Sequence, residues 1–229
     1  MSSYSPSQLG VRPAPALVQQ LLVGAFGWMF AGLLLTAGVS FLVATSPGLV
    51  EGIGGLLFPI IIGQVVLAIG IQATINRLSP TVSLGLFFVY AATMGLTIGV
   101  IVTFYTGESV ATAFLSAAAM FGAAAVYGAT TKRELAGLRG ILFMGLIGVI
   151  VASVVNVFLG SGPIGWAISL VGVVLFTVLT AYDVQRITRG DFAAFAGTME
   201  RASILAALHL YLDFINLFLF LLRLMGNRD

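Results

Sequence analysis

Residues 206–226 read AALHLYLDFINLFLFLLRLMG, and this stretch decides the fold. It is a run of about twenty residues, almost all apolar, which is the length a helix needs to cross a bilayer. Four polar groups interrupt it: His209, Asp213, Asn216 and Arg223. At about 100° per residue, with His209 set at 0°, Asp213 falls near 40°, Asn216 near −20° and Arg223 near −40°. All four share an arc of roughly 80°, with Phe214, Phe218, Leu221 and Leu222 opposite. A polar stripe on an apolar helix should face a cavity or other helices rather than lipid.

The rest of the chain has the same character. Hydrophobic residues make up 59% of the 229, charged residues only 8%, and the mean hydropathy is +1.11. A soluble domain carries about 25% charged residues, so most of this surface must face lipid. Seven apolar segments are expected at about 21–44, 54–75, 82–105, 109–130, 138–159, 164–183 and 202–225. Between them stand turn signals at Ser46-Pro47-Gly48, Ser79-Pro80-Thr81, Thr106-Gly107-Glu108 and Ser161-Gly162-Pro163, and polar loops at 130–134 and 186–201. Each run exceeds the 9–11 residues of a barrel strand, and alternation with period two is missing. The expectation is an all-α membrane protein with seven transmembrane helices. Residues 1–20 form a polar, disordered tail, 21–226 a single domain, and 227–229 a short C-terminal tail. No cleavable signal peptide is expected.

There is no cysteine, which excludes disulfides and thiolate chemistry. A net charge of +2 does not point to nucleic acid, because the basic residues sit at segment ends. Eight of the ten, Arg12, Arg77, Lys132, Arg133, Arg139, Arg186, Arg189 and Arg201, fall on one side of a seven-span arrangement. The positive-inside rule then puts the N-terminus in the cytoplasm. Arg223 and Arg228 sit at the C-terminal end, and they would lie outside after seven full spans or inside if the last segment is re-entrant. Seven spans is the preferred reading. The small residues of segment four, Ala111, Ala113, Ser116, Ala117, Ala118, Ala119, Gly122, Ala123, Ala124, Ala125 and Gly128, and the Gly95/Gly99 spacing in segment three are positions where helices can approach closely.

Polar groups at membrane depth carry the chemistry. An aspartate at mid-span costs about 2.5–3.5 kcal/mol on insertion scales, so it is seldom kept without a use. Asp183 lies near the cytoplasmic end of segment six, and Asp213 is about 11 residues, or ~16 Å, into segment seven. The two carboxyls can meet if segment six continues a turn or two past Asp183. Carboxyls in contact within a low-dielectric site cannot both ionise cheaply and would share a proton, forming a pH-sensitive latch and, when both are charged, a cation site. Simpler roles compete. Asp183 could cap a helix end, His209 could bond at the interface, Arg223 could snorkel, and Gln64 and Asn156 could join helices by hydrogen bonds.

Three stretches resemble the Bax inhibitor-1 family: Tyr127-Gly128-Ala129-Thr130-Thr131-Lys132-Arg133-Glu134-Leu135, Tyr182-Asp183-Val184-Gln185-Arg186-Ile187 and Leu210-Tyr211-Leu212-Asp213-Phe214-Ile215-Asn216-Leu217-Phe218. The resemblance covers roughly residues 20–226. It implies six helices around a central seventh, and a pH-sensitive calcium leak gated by the aspartates that match Asp183 and Asp213. Eukaryotic members are associated with suppression of cell death; this chain looks like a bacterial plasma-membrane member. One departure stands out. Gln64 occupies the place of a glutamate that in many bacterial relatives can pair with the arginine matched by Arg223. Gln64 can accept a hydrogen bond but supplies no charge for cation passage or proton coupling.

The expectation is therefore a pH-gated cation leak, with calcium held transiently by Asp183 and Asp213 and no resident cofactor. Its partners would be the bilayer and cations. A regulatory protein that binds a membrane protease or complex is the alternative. An intramembrane aspartyl protease is disfavoured, because Asp213 sits in Tyr-Leu-Asp-Phe without a Gly-x-Gly-Asp surround and no Pro-Ala-Leu follows. No HExxH or P-loop supports other enzymes.

Overall fold

The computed structural model describes residues 14–227. Arg12, Arg228 and most of the expected N-terminal tail lie outside that range. Among the described residues the fold is helical throughout, with no strand: α1 Pro15–Ala44, α2 Pro47–Gly54, α3 Leu57–Thr74, α4 Pro80–Val102, α5 Gly107–Thr130, α6 Arg139–Leu159, α7 Gly162–Thr188, α8 Asp191–Ala196 and α9 Met199–Met225. A short 3₁₀ turn, Ala136–Leu138, leads into α6. Seven of these elements are long and apolar enough to span a membrane. Large apolar side chains such as Phe58, Val157 and Phe158 (the last 86% exposed) cover their outer faces. Water would not tolerate so much continuous apolar surface, and lipid requires it. The chain is a multi-pass membrane protein.

The ends of the helices follow local chemistry. Prolines occupy the first turn of α1, α2 and α4, where the missing N–H costs nothing. The Ser79 and Thr106 hydroxyls accept from the backbone N–H groups of Val82 and Ser109 at the starts of α4 and α5. Gly160 closes α6 at φ 61°, a left-handed conformation that a side chain resists.

Three expectations need correction. Residues 15–20 are not tail but the first turns of α1, started by Pro15. The Ser46-Pro47-Gly48 turn signal opens the short helix α2, and the second apolar segment is divided at Gly55-Leu56 before α3 begins. The supposed polar loop at 186–201 is mostly helical. There α7 runs on to Thr188, and α8 stands between the left-handed glycines Gly190 and Gly197 with Phe192 and Ala196 fully buried. The last segment is one unbroken helix of 27 residues, about 40 Å long, which contains no re-entrant turn.

Packing divides the chain into two compact units, each assembled from separate parts of the sequence. Among the described residues, one holds 14–105 and 186–211, the other 106–185 and 212–227. In the first unit the expected glycine spacing is used. A Cβ at Gly95 would strike Val39 and the carbonyl of Thr36, and one at Gly99 would strike Val43 and the carbonyl of Ser40. Helices α1 and α4 therefore meet backbone to backbone. In the second unit, Gly128 does the same for α5 against the backbone of Ala181 in α7. Helix α9 contributes to both units. It is the most buried span, 72% against 17–50% for the others. Of its polar stripe Asp213 is buried, His209 and Asn216 are half-buried and Arg223 is exposed, while Phe214, Phe218, Leu221 and Leu222 opposite are all buried.

Candidate functional site

In the second unit, α7 and α9 run antiparallel, in a register set by two contacts. Phe176 packs against Phe220 with ring centroids 5.8 Å apart. A Cβ at Gly172 would collide with the Phe220 ring, so α9 sits close against this turn of α7. From that contact, seven residues forward along α7 reach Asp183, and seven residues back along α9 reach Asp213. Seven residues are close to two turns, so each aspartate lies within about 20° of the face that carries its phenylalanine. The two carboxylates thus occur level with each other on facing sides of one helix pair. Each is only 4% exposed. Helix α7 continues five residues beyond Asp183, to Thr188, which is the extension that their approach requires. Asp213 lies twelve residues before Met225, about 18 Å, and so sits deep in its span.

The turn that carries Asp183 is fixed to the neighbouring loop. The buried side chain of Gln185 accepts from the Leu135 N–H at 2.9 Å and donates to the Arg133 carbonyl at 2.8 Å. It thereby satisfies both backbone groups of a loop that could not otherwise pair them. Around Asp213, Phe214 meets Phe114 and Phe121 of α5 edge-on, at 5.5 and 5.6 Å. Asn216 turns back to donate to the Leu212 carbonyl at 2.7 Å. Hydroxyls along α7 are spent the same way, Ser169 on Gly165 and Thr180 on Phe176.

Arg223 lies at the far end of this unit, beside the start of α7. Gly165 makes room for it: a Cβ there would collide with the guanidinium and would stand 3.1 Å from Nδ2 of Asn156. A cavity of about 490 Å³ opens at this point.

In the first unit, His209 packs on Phe192 with centroids 5.2 Å apart, and the Arg186 guanidinium lies 4.2 Å above the same ring. Gln64 is buried and donates to the Thr97 hydroxyl at 2.9 Å. Tyr211, fully buried, joins Thr36 at 2.6 Å. Because the Thr36 hydroxyl spends its one proton on the Ala91 carbonyl at 2.8 Å, Tyr211 is the donor. The relay ties α9 to α1 and α4, and Phe87 and Tyr90 pack edge-on to the Tyr211 ring.

Sequence reading identified Asp183 and Asp213, which the register brings to one level. The remaining polar residues it singled out are distributed: Asn216 and Arg223 fall in the second unit, His209 and Gln64 in the first. Gln185, Tyr211 and Gly165 escaped notice as positioning residues, although the first two stand inside the quoted motifs.

The arrangement has relatives. The sequence model described as "Inhibitor of apoptosis-promoting Bax1" matches residues 18–229. The chain is 44% identical to the inner membrane protein YbhL of Escherichia coli K12 over the whole of both chains. It is 40% identical to an uncharacterized protein of Deinococcus radiodurans, with 93% of this chain and 92% of the relative covered. A third relative, an uncharacterized protein of Borreliella burgdorferi, is 39% identical over 91% of this chain and 92% of its own. Matches of this extent make the chain a member of the Bax inhibitor-1 family.

Proposed function

We propose that this protein is a pH-gated leak pathway for cations, calcium foremost, with Asp183 and Asp213 as its gate and the N-terminus on the cytoplasmic side of a bacterial plasma membrane. The observation that carries the reading is the heptad register of α7 and α9, which sets two buried carboxyls level on facing helices. In a low-dielectric site the two share one proton and hold the helices together. When both are charged they repel each other and present four oxygens to a cation. Calcium takes six to eight oxygen ligands in a stable site, so two carboxyls with nearby carbonyls make a point of passage rather than a store. Charge at this seam, and not catalysis, is the use of the pair.

The test is calcium entry into dye-loaded proteoliposomes at a series of acid-to-neutral pH values. The parent protein should give a flux that varies with pH. Asp213→Asn and Asp183→Asn, which keep shape and remove the titratable charge, should each give a flat profile with the helical fold retained. A pH profile that persists unchanged in Asp213→Asn sinks the proposal. Retained association with a membrane protein partner in both variants, without any flux in the parent, would replace the leak with a regulatory role.

A further inference from the structure

We infer that the cavity at the start of α7 binds a phosphate oxyanion that carries a hydroxyl donor beside it, as in the glycerol headgroup of an anionic phospholipid. Four observations converge there. The cavity measures about 490 Å³, and its wall includes Ser153, Asn156, Ser161, Gly162, Trp166 and Arg223. Arg223 is the cation in it. No acidic side chain lines it among the described residues, and no hydrogen bond or ion pair with a described residue engages the guanidinium. A guanidinium in such a place is a ready fork for phosphate.

The second observation is Asn156. It is 6% exposed, it lines the cavity, and its buried Oδ1 has no hydrogen-bond partner. A buried amide carbonyl left in this condition costs free energy unless a ligand supplies a donor. The third is Gly165. Its missing side chain is the space into which the Arg223 guanidinium and the Asn156 amide both project. The fourth is the helix itself. The first turn of α7, 27 residues long, presents the positive end of its dipole here. Trp166 on the same wall is 56% exposed, and indoles favour the headgroup layer. The combination asks for a ligand with both anionic oxygens, for Arg223 and the helix start, and a hydroxyl, for Asn156 Oδ1. A phosphatidylglycerol headgroup has both, and so does inorganic hydrogen phosphate. Sulfate has only the first.

The chain contains two tryptophans, Trp28 and Trp166, so in full-length protein carrying Trp28→Phe the indole emission reports the cavity alone. Detergent-solubilised protein is titrated at fixed ionic strength with dihexanoyl phosphatidylglycerol, dihexanoyl phosphatidylcholine, sodium phosphate and sodium sulfate. Phosphatidylglycerol should shift the Trp166 emission saturably, with phosphatidylcholine and sulfate at least about tenfold weaker. Arg223→Gln and Asn156→Asp should each weaken the response by about tenfold or more, the loss of one charge-assisted bond. Asn156→Asp is close to isosteric and supplies Arg223 with an internal counter-ion, so it blocks the site without emptying it. Unchanged circular dichroism and melting temperature in either variant show that the loss is local. Saturation by phosphate, with phosphatidylglycerol no stronger than phosphatidylcholine, supports the same site with a soluble anion as its source. Equal binding of phosphatidylglycerol by the parent and both variants overturns the inference, as does a Trp166 emission that no anion moves.

Discussion

The two units handle buried polarity in different ways. In the first, three hydrogen bonds join buried neutral groups: Tyr211 gives its proton to Thr36, Thr36 gives its own to Ala91, and Gln64 donates to Thr97. Nothing in that chain of bonds changes charge at ordinary pH. In the second unit the small hydroxyls are absorbed by their own helix, while two carboxylates are held level across the α7–α9 seam and a guanidinium lines a cavity. Neutral hydrogen bonds between spans act as glue. Ionisable groups at the same depth are expensive, and they mark the part of the molecule that responds to its surroundings.

The contrast can be tested from its most severe disruption downward. Gly128→Leu should be the worst, because its side chain would enter the backbone of Ala181, two residues before Asp183, and backbone cannot swing aside. A cost of about 3 kcal/mol is expected, seen as loss of the monodisperse peak in size-exclusion chromatography. Survival of a monodisperse protein with an intact pH profile would mean that the α5–α7 contact does not support the charged seam.

Gln185→Ala should be intermediate. It strands the Leu135 N–H and the Arg133 carbonyl, at about 1–3 kcal/mol for such groups. Its clearest readout is local: trypsin should cut after Lys132 or Arg133 several-fold faster than in the parent. An unchanged cleavage rate would show that the clamp does not hold the loop.

Tyr211→Phe should be the mildest, near 1 kcal/mol or less, since interhelical bonds of this kind are weak in membranes. The melting temperature should fall slightly while the pH dependence of calcium flux stays as it was. A changed pH profile in this variant would break the distinction between the two units.

The spans were legible in the sequence because hydropathy over twenty residues is a strong, local signal. The short helices α2 and α8 were not, because a helix of six or eight residues has too few periods to register and depends on its neighbours. The same division holds for the site. The level of Asp183 and Asp213 could be approached from segment ends and rise per residue, since both facts are local to their helices. The partner of Tyr211 stands 175 residues away, and the two bonds of Gln185 reach back 50 and 52 residues. Pairings at that distance leave no trace in a periodicity. The polar stripe was legible as a pattern but not its fate, for Asp213 is buried and Arg223 exposed, while the apolar face opposite is buried as well.

Helix α9 serves the neutral relay with Tyr211 and the charged seam with Asp213, two positions apart on one uninterrupted rod. Those side chains are locked about 200° apart by the helix itself. Substitutions can retune either without touching the other, but a single inserted or deleted residue between Met199 and Met225 would turn everything beyond it by about 100°. This segment should therefore tolerate a change of composition far better than a change of length.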